Sequence, residues 1–474
     1  MTGSEDVDVR GIQYDSRRIR AGDLFAAVPG ESFNGSVFID EARKKGAVSI
    51  LVNEAEVGGE EGTIIFAKDV RRALAYISRN FHGDPSSLLK VVGITGTNGK
   101  TTTSFLIHGV LESAGIGAGL IGTVQYLVGG EVLSASRTTP ESPDLNALLA
   151  SMVSSGHKAC ILEVSSHALA LERVTAIRME VAVFTNLTRD HLDFHRDMED
   201  YFQAKARLFL EGEVIHRLVN IDDPYGRRIV EDLGAQAVTF GMERGDVRPI
   251  TEISSGRWGS RFTLGTPWGE VPVNTSLPGL FNISNIMGAV GTCGLLGLDV
   301  EAISRGISEV GSVPGRFQRV DEGQPYMAIV DYAHTPDALE NLLRNVRRMT
   351  DGRVIVVFGC GGDRDRTKRP LMGRIAATMS EVAIVTSDNP RGEDPESIIA
   401  DILSGMDSGG AQIRRIVDRR EALAAAVREA APGDTVVVAG KGHENYQILG
   451  ERVVPFSDVD RLAEAIVATQ GGVS

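Results

Sequence analysis

One stretch constrains this chain more than any other: Val91-Val92-Gly93-Ile94-Thr95-Gly96-Thr97-Asn98-Gly99-Lys100-Thr101-Thr102. The apolar run from Leu88 to Ile94 reads as a buried strand, and a helix is predicted to start near Lys100. Between them, glycines at 96 and 99 let backbone N–H groups crowd around an anion, and the helix N-terminus adds its partial positive charge. Lys100 is placed to reach terminal phosphates and Thr101 to offer its hydroxyl to Mg²⁺. The strict pattern G-x-x-x-x-G-K-[ST] fails only at its first glycine, where Ile94 stands, so the loop is a variant phosphate cradle. A strand that enters a helix this way calls for an α/β sheet.

At 474 residues the chain has room for about three domains. Its formal charge of −14 argues against nonspecific binding to nucleic acid or membrane, so cations that meet phosphates must be clustered locally. Cys160, Cys293 and Cys360 are odd in number and widely spaced, which predicts reduced thiols and a cytoplasmic setting. The polar, acidic start from Met1 to Asp8 has no apolar run of the kind that directs secretion, and no apolar run is long enough to span a bilayer.

The predicted elements fall into three groups: 1–86, 87–313 and 314–474. The first mixes strands at Leu24 to Val28, Ser49 to Val52 and Thr63 to Phe66 with helices at Val37 to Lys45 and Val70 to Asn80. His82-Gly83-Asp84-Pro85 breaks the last helix. The second holds the phosphate loop, strands at Cys160 to Val164 and Val181 to Asn186, and a helix at Met198 to Leu210. It also carries a hairpin across Trp258 to Val273 and helices at Ser284 to Leu296 and Val300 to Val310. Val313-Pro314-Gly315 marks the second linker. Beyond it, strands at Met327 to Asp331, Val354 to Phe358, Val382 to Thr386, Ile413 to Val417 and Thr435 to Ala439 alternate with helices. That alternation predicts a parallel, Rossmann-like sheet with ligands at the carboxyl ends of its strands.

Polar clusters sit at those strand ends. Glu163 in Leu162-Glu163-Val164-Ser165-Ser166-His167 is a carboxylate that can bind Mg²⁺ held by the phosphate loop; a helix-capping serine cluster is the plainer alternative. Thr185-Asn186-Leu187-Thr188-Arg189-Asp190-His191 makes His191 a candidate metal ligand, set against an ordinary surface or core histidine. Lys205, on the helix from Met198, reads from the residues alone as a solvated lysine. In Phe358 to Pro370, glycines followed by Arg364, Arg366, Lys368 and Arg369 suit an anion site, or else a charged surface loop. Arg391 in Ser387-Asp388-Asn389-Pro390-Arg391 can grip a carboxylate through two parallel N–H bonds, while Asp388, Asn389 and Glu444 of Gly440-Lys441-Gly442-His443-Glu444 can take an ammonium. Together they suit a zwitterionic amino acid.

Taken in order, these residues closely resemble the Mur ligase family over nearly the whole chain. The marks include Asp15-Ser16-Arg17, the loop Gly96 to Thr102, Thr138-Thr139-Pro140, Glu163 to His167, Asp190-His191-Leu192-Asp193, Leu277-Pro278-Gly279, Asn282, Asn285, Val313-Pro314-Gly315-Arg316, Asp331 to Pro336 and Gly440 to Glu444. The resemblance implies three α/β domains: a small UDP-binding domain, a central ATPase domain with a mostly parallel sheet, and a Rossmann-like amino-acid domain. It implies a monomeric ligase that uses ATP and Mg²⁺ to join an amino acid to UDP-N-acetylmuramoyl-L-alanyl-D-glutamate in cell-wall precursor synthesis. ATP would meet Gly96, Thr97, Asn98, Gly99, Lys100, Thr101, Thr102, Asn282, Arg316 and Asp331. The nucleotide-peptide would meet Ser16, Glu31, Ser32, Phe33, Thr138, Thr139, Ser165 and Arg173. Mg²⁺ would be shared among Thr101, Glu163, His191 and Lys205, the lysine as a carbamate, which replaces the solvated reading.

Asp388, Asn389, Pro390 and Arg391 match the family signature for meso-2,6-diaminopimelate, with Arg364, Gly440 and Glu444 as further contacts. Lysine-adding relatives lack the arginine, and a buried guanidinium left unpaired against lysine is costly. The departures are Leu171, Thr367 and Gln318, the last standing where an acidic residue is usual. The rivals are a ligase with another acceptor or amino acid, and a nucleotide-driven switch that ligates nothing.

Overall fold

The computed structural model describes residues 2–30, 34–53, 62–407 and 409–471. Three sheets, each flanked by helices on both faces, follow one another along the chain.

The first sheet is parallel, in the order β1 (Gly11–Gln13), β2 (Asp23–Ala26), β3 (Ser49–Val52) and β4 (Thr63–Phe66). Helix α1 (Ile39–Lys44) buries Ile39 and Ala42 against Phe25 and Ile50, and α2 (Val70–Phe81) buries Val70 and Leu74 against Leu24 and Leu51 on the opposite face. Asp69 caps α2 by accepting from the Arg72 N–H. The expected helix from Val37 divides into a 3₁₀ turn, Gly35–Phe38, and then α1.

The central sheet takes β5 (Lys90–Thr95), β6 (Ala118–Ile121), β7 (Gln125–Val128), β8 (Glu131–Ser134), β9 (Ala159–Glu163), β10 (Met179–Phe184), β11 (Val214–Asn220) and β12 (Ala237–Phe240). Its order is β12-β11-β10-β5-β9-β6-β7-β8, parallel except at the β7 and β8 edge. Strand β5, which feeds the phosphate loop, is therefore interior, and Val91, Val92 and Ile94 are fully buried. Helix α3 (Lys100–Ser113) follows the loop, and α4 (Ser142–Ser154), α5 (Ser166–Ala170), α6 (Met198–Leu210) and α7 (Pro224–Leu233) cover the other face. A ribbon of β13 (Arg248–Pro249), β14 (Ser254–Gly256), β15 (Gly259–Thr266) and β16 (Gly269–Thr275) is antiparallel about β15. It precedes α8 (Leu280–Leu295) and α9 (Val300–Glu309), which pack on α3.

The third sheet runs β17 (Gln318–Arg319), β18 (Met327–Asp331), β22 (Thr435–Ala439), β19 (Val354–Phe358), β20 (Val382–Val385) and β21 (Gln412–Arg415), parallel except for β17. Helices α10 (Pro336–Met349), α11 (Lys368–Met379) and α12 (Pro395–Leu403) cover one face, and α13 (Arg419–Glu429) and α14 (Asp458–Gly471) the other. A hairpin, β23 (Tyr446–Leu449) with β24 (Arg452–Pro455), lies beside the strand ends. Among the described residues no helix is long and apolar enough to cross a membrane.

Candidate active site between the central and third sheets

The carboxyl ends of β5, β9 and β10 face those of β18, β19, β20 and β22 across a cleft. Gly96 leaves β5 with φ 143°, and a Cβ there would lie 1.9 Å from Thr185 Oγ1, so only glycine fits the turn. The loop is braced from β10: the Asn98 N–H donates to Asn186 Oδ1 at 2.9 Å and Thr185 Oγ1 donates to the Asn98 carbonyl at 2.7 Å. Lys100 Nζ folds over the loop, donating to the Gly96 and Thr97 carbonyls at 2.9 Å each. Burial pushes its ammonium below the ordinary lysine range, with Glu163 and Asp190 opposing the shift.

Glu163, fully buried at the end of β9, accepts from Thr101 Oγ1 at 3.1 Å, from Thr123 Oγ1 at 2.9 Å and from the Thr123 N–H at 3.1 Å. Lys205 is 1% exposed, which overturns the solvated reading. Its Nζ donates to the Gly96 carbonyl at 2.9 Å and lies 4.8 Å from the centre of the Tyr201 ring. Burial, aided by the nearby Lys100 charge, pulls its amine well below the ordinary range. His191 has φ 53° and packs edge-on against His167 at 4.9 Å; burial takes its imidazole down to about 4, against the pull of Asp190.

Thr101 and Glu163 suit a hard cation such as Mg²⁺, which prefers oxygen ligands. Lys205 as a free amine does not, and its carbamate would. Among the described residues no three His, Cys, Asp or Glu side chains converge in metal-binding geometry, so His191 and Glu163 alone do not make a site.

The side of the cleft that holds the loop closes with residues from the third sheet. Arg316 Nη2 donates to Thr101 Oγ1 at 3.2 Å, its guanidinium lies 4.6 Å from the centre of the Tyr332 ring, and its Nε is buried with no partner. Asp331 accepts from the Phe317 N–H at 2.7 Å and the Ala333 N–H at 2.8 Å, fixing the turn that carries Arg316. Gln318 Oε1 accepts from the Gly315 N–H at 2.7 Å, a task a carboxylate would also perform. A cavity of about 480 Å³ is bounded by the loop, Arg316, Asp331 and Asn285. Asn282 lies behind its wall, donating to the Pro278 carbonyl at 2.8 Å and accepting from Asn285 at 3.1 Å.

A second cavity, of about 470 Å³, is lined by Arg364, Lys368, Asp388, Asn389, Arg391, Gly440 and Glu444. Asn389 Nδ2 donates to Glu444 Oε2 at 2.8 Å, and the fully buried Lys441 donates to Asn389 Oδ1 at 3.1 Å and Glu444 Oε2 at 2.9 Å. Arg391, with φ 51°, donates to the Gly362 carbonyl at 2.8 Å. Pro390 is buried in the same turn without lining the cavity. Asp190, His191, Tyr332, His334 and Thr335 line both cavities, so the two meet there. Of the expected anion cluster, Arg364 and Lys368 reach the cavity, while Arg366 and Arg369 turn to Asp401. A groove of about 960 Å³ between the ribbon and α9 holds none of the motif residues.

The residues expected to meet the nucleotide-peptide are tied to one another near β9. Thr139 Oγ1 donates to the Glu163 carbonyl at 2.8 Å, Thr138 Oγ1 pairs with Thr123 Oγ1 at 3.1 Å, and Ser165 caps α5. Arg173 donates to the Thr139 carbonyl at 3.0 Å and pairs with Glu141 at 2.9 Å. Ser16 is buried, donating to Glu41 at 3.0 Å, away from both cavities. Glu31, Ser32 and Phe33 lie outside the described residues. Sequence reasoning passed over Thr123, which orients Glu163, and Asp337, which accepts from Asn98 at 3.3 Å and Thr188 at 2.9 Å across the cleft. Thr123 follows a short strand with no motif, and Asp337 stands in the first turn of α10, where a carboxylate is common without any further role.

A glycine-lysine loop facing a cavity lined by paired cations and anions across a cleft suits a ligase. The chain belongs to the Mur ligase family: residues 8–82 match its catalytic domain, 94–293 its middle domain and 315–442 its glutamate ligase domain. It is 45% identical over 463 residues to the UDP-N-acetylmuramoyl-L-alanyl-D-glutamate–2,6-diaminopimelate ligase of Clostridium perfringens, covering 96% of this chain and 94% of that one. The enzyme of that name from Streptomyces avermitilis is 45% identical over 483 residues, covering 99% and 95%. A solved structure of a UDP-N-acetylmuramoyl-L-alanyl-D-glutamate–2,6-diaminopimelate ligase superposes with a TM-score of 0.70 at 33% identity, over 98% of this chain and 95% of that one.

Proposed function

We infer that this chain is an ADP-forming ligase that adds meso-2,6-diaminopimelate to the D-glutamate γ-carboxylate of UDP-N-acetylmuramoyl-L-alanyl-D-glutamate. The observation that carries the reading is the meeting of the two cavities at Asp190, His191, Tyr332, His334 and Thr335, which sets a phosphate loop beside a pocket of paired cations and anions. The relatives' shared activity supports the same conclusion.

In this reading the γ-carboxylate attacks the terminal phosphate of ATP to give an acyl phosphate and ADP. The amine of the amino acid then attacks the activated carbonyl and phosphate leaves. Lys100 leaves the loop carbonyls to meet the transferred phosphoryl group, and Arg316 turns its unpaired Nε toward the same charge. Thr101, Glu163 and Lys205, the last as a carbamate, would hold Mg²⁺, which would supply charge neutralisation at the phosphates. Thr138, Thr139, Ser165 and Arg173 orient the peptide, and Ser16 with Glu31, Ser32 and Phe33 serves the uridine end. Arg391 and Arg364 take the carboxylates of the amino acid, and Asn389, Asp388 and Glu444 its ammonium groups. Closure of the third domain keeps water from the acyl phosphate.

Phosphate release is measured with the UDP-linked dipeptide and either meso-diaminopimelate or lysine, in wild type and Arg391→Ala. Wild type is expected to prefer diaminopimelate, and the variant to lose about 100-fold in kcat/KM for it, the cost of an unpaired carboxylate. Faster wild-type turnover with lysine overturns the assignment.

A further inference from the structure

Beneath the Arg391 turn lies a buried cation that no substrate can reach. Arg369, on α11, is 0% exposed and donates from Nη1 to Glu393 Oε2 at 3.0 Å and Asp401 Oδ2 at 2.9 Å. Its Nη2 donates to Glu393 Oε1 at 2.8 Å and to the Gly361 carbonyl at 3.3 Å. The grip on Glu393 is the two-pronged arrangement that fixes a carboxylate in orientation as well as position.

Glu393 passes that order on to two loops. Its Oε1 accepts from the Asp363 N–H at 2.6 Å, and Asp363 Oδ2 accepts from the Gly392 N–H at 3.0 Å. The Gly362 N–H donates to the Asn389 carbonyl at 2.9 Å, and the Gly362 carbonyl accepts from Arg391 Nη1 at 2.8 Å. A Cβ on Gly362 would lie 1.9 Å from the Pro390 carbonyl, so the loops touch backbone to backbone. Asp363 (φ 52°) and Arg391 (φ 51°) both hold left-handed backbone without being glycine. Such conformers persist only where the surroundings impose them. The bonds to Glu393 and Asp363 are those surroundings.

We propose that Arg369 and Glu393 act as a positioning pair that sets the Arg391 guanidinium and so governs which amino acid the pocket accepts. The inference rests on the assignment of Arg391 to the amino acid. Arg369, with the Asp363 N–H, holds the Glu393 carboxyl below the ordinary carboxylate range, which favours the ionised pair. Arg369 also joins α11 to α12 through Asp401, and a purely mechanical role is separated by what each substrate feels.

The test uses Glu393→Gln and Arg369→Lys in the full chain, with KM measured for diaminopimelate, ATP and the UDP-linked dipeptide. Glu393→Gln is expected to raise the KM for diaminopimelate about 10-fold, to leave the other two within about 2-fold, and to narrow the preference over lysine. Arg369→Lys keeps the charge but loses the two-pronged grip, and is expected to shift the same KM less. Arg391→Ala combined with Glu393→Gln is expected to be no worse than Arg391→Ala alone. Equal movement of all three KM values, an unmoved KM for diaminopimelate, or additive losses in the double variant overturn the proposal. A crystal structure of Glu393→Gln decides it even if lysine proves the better substrate. Displacement of the Arg391 guanidinium from the Gly362 carbonyl supports the pair, and an unmoved guanidinium overturns it.

Discussion

At the scale of single residues, the environment around the phosphate loop sets protonation more than residue type does. Lys205 carries a side chain that water would keep charged, yet it sits 1% exposed on the Gly96 carbonyl with Lys100 nearby. Both influences favour the neutral amine, the form whose lone pair attacks CO₂ to give a carbamate and a proton. Protein equilibrated with ¹³C-labelled bicarbonate is expected to show a carbamate carbon signal that is absent from Lys205→Met. Turnover in that variant is expected to fall by about 100-fold or more, the scale of removing a group that stabilises transition-state charge. A signal that survives in Lys205→Met places the carbamate elsewhere. The residues around the two cavities fall into two sets. Lys100, Thr101, Glu163, Asp388, Asn389, Arg391 and Glu444 could be named from the sequence because each sits in a motif that follows a predicted strand, and Arg316 because it sits in the linker motif Val313 to Arg316. Thr123 and Asp337 could not, because their part is to orient another side chain across a distance that local patterns do not encode.

At the scale of elements, the strand ends of the third sheet are held from below by another buried ion pair. Arg419 of α13 and Asp458 of α14 are each 0% exposed and share two bonds of 2.7 Å. Arg419 also donates to the Ala439 carbonyl at 3.0 Å and the Ser387 carbonyl at 3.4 Å, beside the residues that line the second cavity. Asp458→Ala strands a buried guanidinium and is expected to destabilise the protein by about 3–5 kcal/mol. Urea unfolding measures this; a loss below about 1 kcal/mol would mean that Arg419 finds water or another partner. Elements with continuous apolar runs, such as β3, β4, β18, β19 and β22, coincide with their predicted spans. β8 escaped notice because all four of its residues are exposed at a sheet edge, leaving no alternation to read. β23 and β24 are short and mostly exposed, so their pairing depends on the loop they pack beside.

At the scale of the whole molecule, the polar contacts that join the central and third sheets among the described residues are side-chain bonds, which suits a cleft that opens and closes. Arg316 reaches Thr101, and Asp337 accepts from Asn98 and Thr188. His443, whose ring packs 5.1 Å from that of Tyr332, sits close to the Thr123 carbonyl, with its Nδ1 buried and unpartnered. Burial, with Arg316 and Lys441 adding positive charge, takes its imidazole from 6.5 down to about 4. His191 is lowered to about 4 chiefly by burial as well. A base whose folded pKa is depressed takes up its proton in the unfolded chain first, so stability is full above about pH 6.5 and drains away as pH falls toward 4. Thermal unfolding between pH 7 and 4.5 is expected to show a falling midpoint, with a shallower slope in His443→Gln. An equal slope in that variant would assign the effect to other groups.

The sequence by itself determined the glycine-lysine loop after β5, the buried strands with continuous apolar runs, and the charged residues that line the second cavity, because those depend on residue types at short spacings. Only the tertiary structure decided that Lys205 is buried, that Arg366 and Arg369 turn away from the cavity, and that the two cavities meet at His191 and Tyr332. Those outcomes depend on partners that lie from about 30 to more than 100 residues away along the chain, for which there is no local signal. The physical reason is that burial and partner choice belong to the packed whole, whereas a glycine turn before a lysine is set within a few bonds.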